Sequence, residues 1–293
     1  MFLKGPDQER KERKSPDKQR FRNNMLILSY ITWNVSPEIF NIGPISVRWY
    51  GLLFASAFIF GYKVMQWVYK IENKPVADVE QLTVYMILGT VIGARLGHCL
   101  FYNPDYYLSN PLEILKVWKG GLASHGAAIG IITSLYFFAK KKKVTPLWIL
   151  DRIVIVVASA GFFIRLGNLF NSEIIGKPSE VAWAFIFTRV DNIPRHPTQL
   201  YESIAYLIIF IILLFVYKRK HDKLNDGLLF GLFLVLIFTF RFFVEFFKEI
   251  QSGFEAGMVL DMGQLLSIPF IILGIFFIAR SFKKSDSANK NIS

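Results

Sequence analysis

Seven apolar runs divide the chain, at about 47–69, 82–102, 120–139, 147–169, 199–217, 226–247 and 261–280. Each is close to the roughly 20 residues that a helix needs to cross a hydrocarbon core of ~30 Å. The pattern predicts an all-α polytopic membrane protein with about seven transmembrane helices. Most connections between the runs are short and polar. The longest, 170–198, mixes Gly, Pro and both charges around one apolar stretch, Val181–Phe187. It is expected to form a small extracytoplasmic head, with that stretch as a strand or a short interfacial segment.

The first 24 residues carry eight Lys/Arg and four Asp/Glu and show no periodicity. They lack an apolar core, so they are not a signal peptide. They read as a basic disordered tail or a misassigned start, with Met25 as the true first residue. Residues 25–46 follow as an extracytoplasmic N-terminal segment, 47–280 as the seven-span core that includes the head, and 281–293 as a cytoplasmic tail.

Composition agrees with the pattern. Apolar residues make up 53% of the chain and the mean hydropathy is +0.38, more than a soluble domain of this size carries. The formal charge is +12. The excess falls in short loops beside apolar runs, which reads as a topology signal and not as a nucleic-acid site. Loops 70–81, 140–146 and 218–225 with the tail from 280 hold 14 Lys/Arg in 41 residues; loops 103–119, 170–200 and 248–260 hold 6 in 61. The denser set is expected in the cytoplasm, which puts the N-terminus outside and the C-terminus inside. The single cysteine, Cys99, permits no internal disulfide and reads as a packing residue.

Placed by depth, the polar groups inside the runs gather at one level. Arg48 and Tyr50 lie near the outer end of the first run, and Arg95 and His98 in the outer third of the second. His125 lies just below the outer end of the third, Arg165 and Asn168 near that of the fourth, and Arg241 and Glu245 near that of the sixth. Unpaired, each costs several kcal/mol in hydrocarbon, so many at one depth imply a polar chamber. Arginine suits phosphate because its planar fork donates two parallel hydrogen bonds. An outer-leaflet chamber rich in arginine points to an anionic lipid headgroup. Simpler readings stand beside this one. Arg241 and Glu245, four apart, are placed to pair with each other. Arg95 is placed to snorkel to the interface, Arg48 to anchor there, and His98 to pack. Asp151 reads as a helix-start or loop-pairing residue. No cluster of His, Cys or carboxylates has metal-ligand spacing, so neither metal nor cofactor is expected.

The stretch Arg165–Glu173, "RLGNLFNSE", resembles the signature of bacterial prolipoprotein diacylglyceryl transferases. "GPISVRWYG" (43–51), "GARLGHCLFY" (93–102), "GGLASHGAAIG" (120–130), "HPTQLYE" (196–202), "FRFFVEFFKE" (240–249) and "MGQLLSIP" (262–269) agree in order, so the similarity covers about 25–281. Ile164, Leu169 and Phe170 depart from the usual residues around the signature and leave its polar positions intact.

The resemblance implies an inner-membrane enzyme with its active site toward the outer leaflet. It would move the diacylglyceryl group of phosphatidylglycerol to the lipobox cysteine of a preprolipoprotein signal peptide, forming a thioether and releasing glycerol-1-phosphate. By the same resemblance, Arg165, Asn168, Asn171, Glu173 and Gly176 fall in the signature region, and Tyr50, His125, Asp151, Arg241 and Glu245 on other important positions. Catalysis is then expected from His125 as base and from Arg165 and Arg241 as phosphate ligands. Tyr50 and Asn168 would orient the headgroup, Glu245 would hold Arg241, and Asp151, Asn171, Glu173 and Gly176 would give support. The alternatives are a membrane transporter and a lipid-binding protein for anionic lipids. A Ser124–His125 protease pair is excluded, because adjacent helical residues diverge by ~100°.

Overall fold

The computed structural model describes residues 30–43, 45–117, 120–249 and 258–290. The basic tail and Met25 lie outside them. Strands β1 (Ile31–Trp33), β2 (Glu38–Ile42) and β3 (Ile45–Arg48) precede α1 (Trp49–Ile71) and α2 (Ala77–Phe101). A short helix α3 (Pro104–Ser109) and a 3-10 turn (Pro111–Leu115) lead to α4 (Ser124–Lys142) and α5 (Pro146–Asn171). Strands β4 (Phe185–Phe187) and β5 (Pro194–Arg195) come next, followed by α6 (Thr198–Lys220), α7 (Leu228–Val244), a 3-10 turn (Glu245–Phe247) and α8 (Met262–Lys290).

Six of the helices are long and apolar enough to cross a membrane: α1, α2, α5, α6, α7 and α8. The seventh predicted run forms α4, which is shorter and ends in Lys140, Lys141 and Lys142. The protein is a multi-pass membrane protein. Its surface carries the side chains that lipid requires, among them Ile59, Ile92, Ile129, Phe137, Ile211, Phe215, Ile272 and Phe276. In water such a surface would aggregate; in hydrocarbon it has no such cost.

Helix α5 runs through the centre and packs on α1, α6 and α7. Its start is set locally: Thr145 accepts the Trp148 N–H at 3.0 Å, and Pro146 occupies the first turn. Helices α2 and α4 pack backbone to backbone. Their glycines interlock, Gly89, Gly93 and Gly97 against Gly126 and Gly130. Small residues at every fourth position permit this approach in a membrane.

The Val181–Phe187 stretch supplies β4, which pairs parallel with β1 and antiparallel with β5. The N-terminal segment and the long linker thus share one sheet. Trp33 fastens it to the end of α5, donating from Nε1 to Leu169 O at 3.1 Å and packing on Phe170.

Polar groups sort to the two ends of the bundle. At the end bearing the lysine-rich turns, Arg152 pairs with Glu72 at 2.9 Å and Tyr217 donates to the same carboxylate at 2.8 Å. Asp151 is fully buried there and accepts the Gly227 and Phe230 N–H groups at 2.7 and 2.8 Å. It caps the start of α7 from the neighbouring helix. Asp151→Ala is expected to lower stability by about 1–2 kcal/mol, the worth of a helix cap. Thermal unfolding in detergent measures it, and an unchanged midpoint would remove the cap from the account.

Candidate active site

The opposite end holds the site. The last turns of α5 and α7 meet the first turns of α1, α6 and α8 there. Arg165 on α5 pairs through Nε with Glu202 of α6 at 3.1 Å, and donates from a terminal nitrogen to Asn168 Oδ1 at 3.3 Å. The Tyr206 hydroxyl bonds to the same guanidinium. Residues 202 and 206 are four apart, so one face of α6 presents both to α5. Glu202 is 1% exposed and faces a second cation, Lys248 Nζ, at 3.6 Å. Lys248 in turn pairs with Glu245 at 3.2 Å. The result is a buried chain of alternating charge: Arg165, Glu202, Lys248, Glu245. Pairing of this kind is what lets charges stay ionised in a low-dielectric site.

Arg241 stands beside this chain and outside it. Its charge acts on Tyr206, as does that of Arg165. Its Nε is buried without a hydrogen-bond partner, and among the described residues its side chain makes no ion pair. The predicted pairing of Arg241 with Glu245 is absent, because Glu245 turns to Lys248. Arg241 is half-buried, and a buried N–H donor without a partner on a charged side chain is what an anionic ligand can satisfy.

The signature carboxylate closes the other side. Glu173 accepts Asn168 Nδ2 at 3.2 Å and Asn171 Nδ2 at 3.1 Å, so both asparagines are oriented by one residue. Gln199 ties the Glu173 carbonyl to α6 at 2.6 Å. Tyr50 on α1 lies over Gly167, which leaves room for its ring, and its hydroxyl feels both Glu173 and Arg165.

Gly176 positions the turn that carries Lys248. The two residues form an antiparallel bridge, and a methyl on Gly176 would stand 2.5 Å from His196 O and 2.8 Å from Phe247 O. Nearby, Arg195 binds Asp191 at 2.6 Å and Glu249 at 2.9 Å, and its hydrogen bonds hold the Asp191 carboxyl below the usual carboxylate range.

Among the described residues, neither His125 nor Arg95 makes a hydrogen bond or ion pair with this charge chain. His125 is exposed in the first turn of α4, with its ring against Phe101 and Tyr102. Among the described residues no hydrogen bond or ion pair links it to Arg165 or Arg241. Arg95 neither snorkels nor joins the charge chain. It is 3% exposed and donates to the carbonyls of Glu113, Ile114, Gly120 and Gly121, bracing the α2–α4 connection. Arg48 is exposed and pairs with Glu38 at 3.4 Å.

Glu202, Tyr206 and Lys248 were not singled out by sequence reasoning. Two of them sit inside quoted motifs, Glu202 in "HPTQLYE" and Lys248 in "FRFFVEFFKE". A search for carboxylates able to neutralise Arg165 would have pointed to the first.

Comparison with known proteins agrees with the motifs. Residues 37–280 match the family described as prolipoprotein diacylglyceryl transferase. The chain is 52% identical over 258 residues to the phosphatidylglycerol–prolipoprotein diacylglyceryl transferase of Chloroherpeton thalassium, covering 88% of this chain and 96% of that protein. Similar relatives of the same name come from Bacteroides fragilis, 51% identical over 87% of this chain and 96% of the relative. Another is from Tolumonas auensis, 46% identical over 86% and 98%. With its signature residues gathered at one end of a membrane bundle and its matched length close to complete, the chain belongs to the prolipoprotein diacylglyceryl transferase family.

Proposed function

We propose that this protein transfers the diacylglyceryl group of phosphatidylglycerol to the lipobox cysteine thiol of a preprolipoprotein. The observation that carries the reading is Arg241, a half-buried arginine whose Nε is buried without a hydrogen-bond partner and which stands outside the ion pairs that join Arg165, Glu202, Lys248 and Glu245. In the reaction the sulfur attacks the glycerol carbon that bears the phosphate ester. A C–S bond forms, the C–O bond breaks, and glycerol-1-phosphate leaves with the bond's electron pair. Negative charge on the phosphate rises as the ester oxygen departs. Arg241 and Arg165 therefore bind the transition state more strongly than the ground state, which is the condition for acceleration. Glu202 holds Arg165 through Nε, and Asn168 accepts from one of its terminal nitrogens. Tyr50 and Asn168 orient headgroup oxygens, and Asn171, Glu173 and Gly176 support them.

The thiol must lose its proton, since its pKa of ~8.5 leaves it mostly neutral near pH 7. His125 is the base in this reading, because a neutral imidazole nitrogen can accept the thiol proton. His125→Gln is expected to lower transfer by roughly 10²-fold or more, since the amide cannot take up that proton. Near-normal turnover in His125→Gln would remove the histidine from proton transfer.

The site opens toward the outer leaflet, at the end of the bundle away from the lysine-rich turns. Helix α4 is the seventh span, lying along α2, and the β1–β4–β5 sheet forms the extracytoplasmic head. The N-terminus is outside and the C-terminus inside. The direct test combines purified protein, phosphatidylglycerol and a lipobox peptide. The expected result is a diacylglyceryl mass gain on the cysteine with stoichiometric glycerol phosphate; a peptide of unchanged mass would overturn the assignment.

A further inference from the structure

Arg241 and Glu245 lie one helical turn apart, with the Glu245 N–H donating to Arg241 O. Opposite charges at this spacing are natural partners. The pair does not form, and two features explain why. The Glu245 carboxylate is held by Lys248 Nζ at 3.2 Å. It also rests against Gly263 at the start of α8, where a methyl would stand 2.5 Å from Oε1. Lys248 is itself 5% exposed. Its place is set by backbone: the bridge to Gly176, Lys177 N–H to Phe247 O at 2.8 Å, and Glu249 N–H to Ile175 O at 3.3 Å. The Arg195–Glu249 pair anchors the same strip. Packing alone does not call for an ammonium here, since an apolar side chain fills such a place at less cost. Besides facing Glu202 at 3.6 Å, the charge sets the direction in which Glu245 points.

We infer that Lys248 is a positioning residue that draws Glu245 away from Arg241 and so keeps the Arg241 guanidinium open to the phosphate of the lipid donor. The inference rests on the reaction proposed above. Without the ammonium, Glu245 swings one turn back, closes on Arg241 and competes with the incoming anion. Gly176 enters the same account, because its missing side chain lets the Lys248 strip dock.

The test uses full-length protein in detergent with phosphatidylglycerol and a lipobox peptide. Lys248→Met is expected to raise KM for phosphatidylglycerol roughly ten-fold or more, the worth of one lost charge-assisted contact, with a smaller change in KM for the peptide. Lys248→Arg keeps the charge and is expected to stay near wild type. Glu245→Gln is expected to be less harmful in the Lys248→Met background than in the wild type, because the amide no longer blocks Arg241. Should Lys248→Met not fold, Lys248→Gln and Lys248→Arg carry the same comparison. An unchanged lipid KM in Lys248→Met, an equal loss in Lys248→Arg, or strict additivity with Glu245→Gln would each overturn the inference. A wild-type protein that leaves the peptide unmodified would sink the proposed reaction instead, so the two failures are distinct.

Discussion

Arg241→Ala is expected to lower diacylglyceryl transfer by at least about a hundred-fold while leaving the protein folded and inserted. The two halves of this expectation have separate causes. Arg241 makes no ion pair among the described residues, so its removal strands no buried partner. On the proposed reading it contributes little to the folded state and much to stabilising the developing phosphate charge. Arg165→Ala is the contrasting case. It takes from Glu202 its nearer cation and leaves a carboxylate that is 1% exposed with Lys248 at 3.6 Å. Breaking a buried pair in this way costs about 3–5 kcal/mol. Arg165→Ala should therefore lose activity and thermal stability together, where Arg241→Ala loses activity alone. Unfolding midpoints in detergent, taken beside turnover, separate the two. Near-normal turnover in Arg241→Ala would defeat the phosphate-clamp reading.

Gly126→Ala is expected to disrupt the α2–α4 pair. A methyl at that position would collide with Gly93 O and stand 2.7 Å from Gly97 Cα. Both obstacles are backbone, so no side chain can rotate away. The helices must part, at a cost of about 1–3 kcal/mol from overpacking. The displacement also reaches the proposed base, because His125 is the adjacent residue. Activity is expected to fall with stability, and restoring expression at low temperature should not restore turnover. Gly51→Ala is the control. It lies in α1 with open space around its Cβ position, and alanine is the better helix former there. Gly51→Ala should match or exceed wild type in stability; equal damage in both variants would mean that close approach is not the reason for Gly126.

The spans were legible because a helix in lipid must satisfy its backbone within itself, and hydropathy over a window then records the crossing. Six of the seven runs became helices long and apolar enough to span. The third run is less clear for a local reason: α4 gives up apolar residues to the lysines of its last turn and to the glycines that face α2. The gathering of polar groups at one end was also legible, since alternating helices return charged residues to the same level. Arg95 shows the limit of that argument. Depth alone placed it with Arg165, but its guanidinium is used by four carbonyls of the neighbouring connection. A one-dimensional pattern tells how deep a side chain lies and not which way it points.

By itself the sequence determined the membrane class, six of the spanning helices with their approximate bounds, the family, and the identity of Arg165, Asn168, Glu173 and Arg241 as residues to watch. These follow from local composition and from motifs whose parts lie close together in the chain. Only the tertiary structure decided who pairs with whom. It matched Arg165 to Glu202, turned Glu245 toward Lys248, and left Arg241 Nε without a partner. Such choices depend on distances of a few ångströms between helices far apart in sequence, and a difference of one rotamer changes the partner of a buried charge.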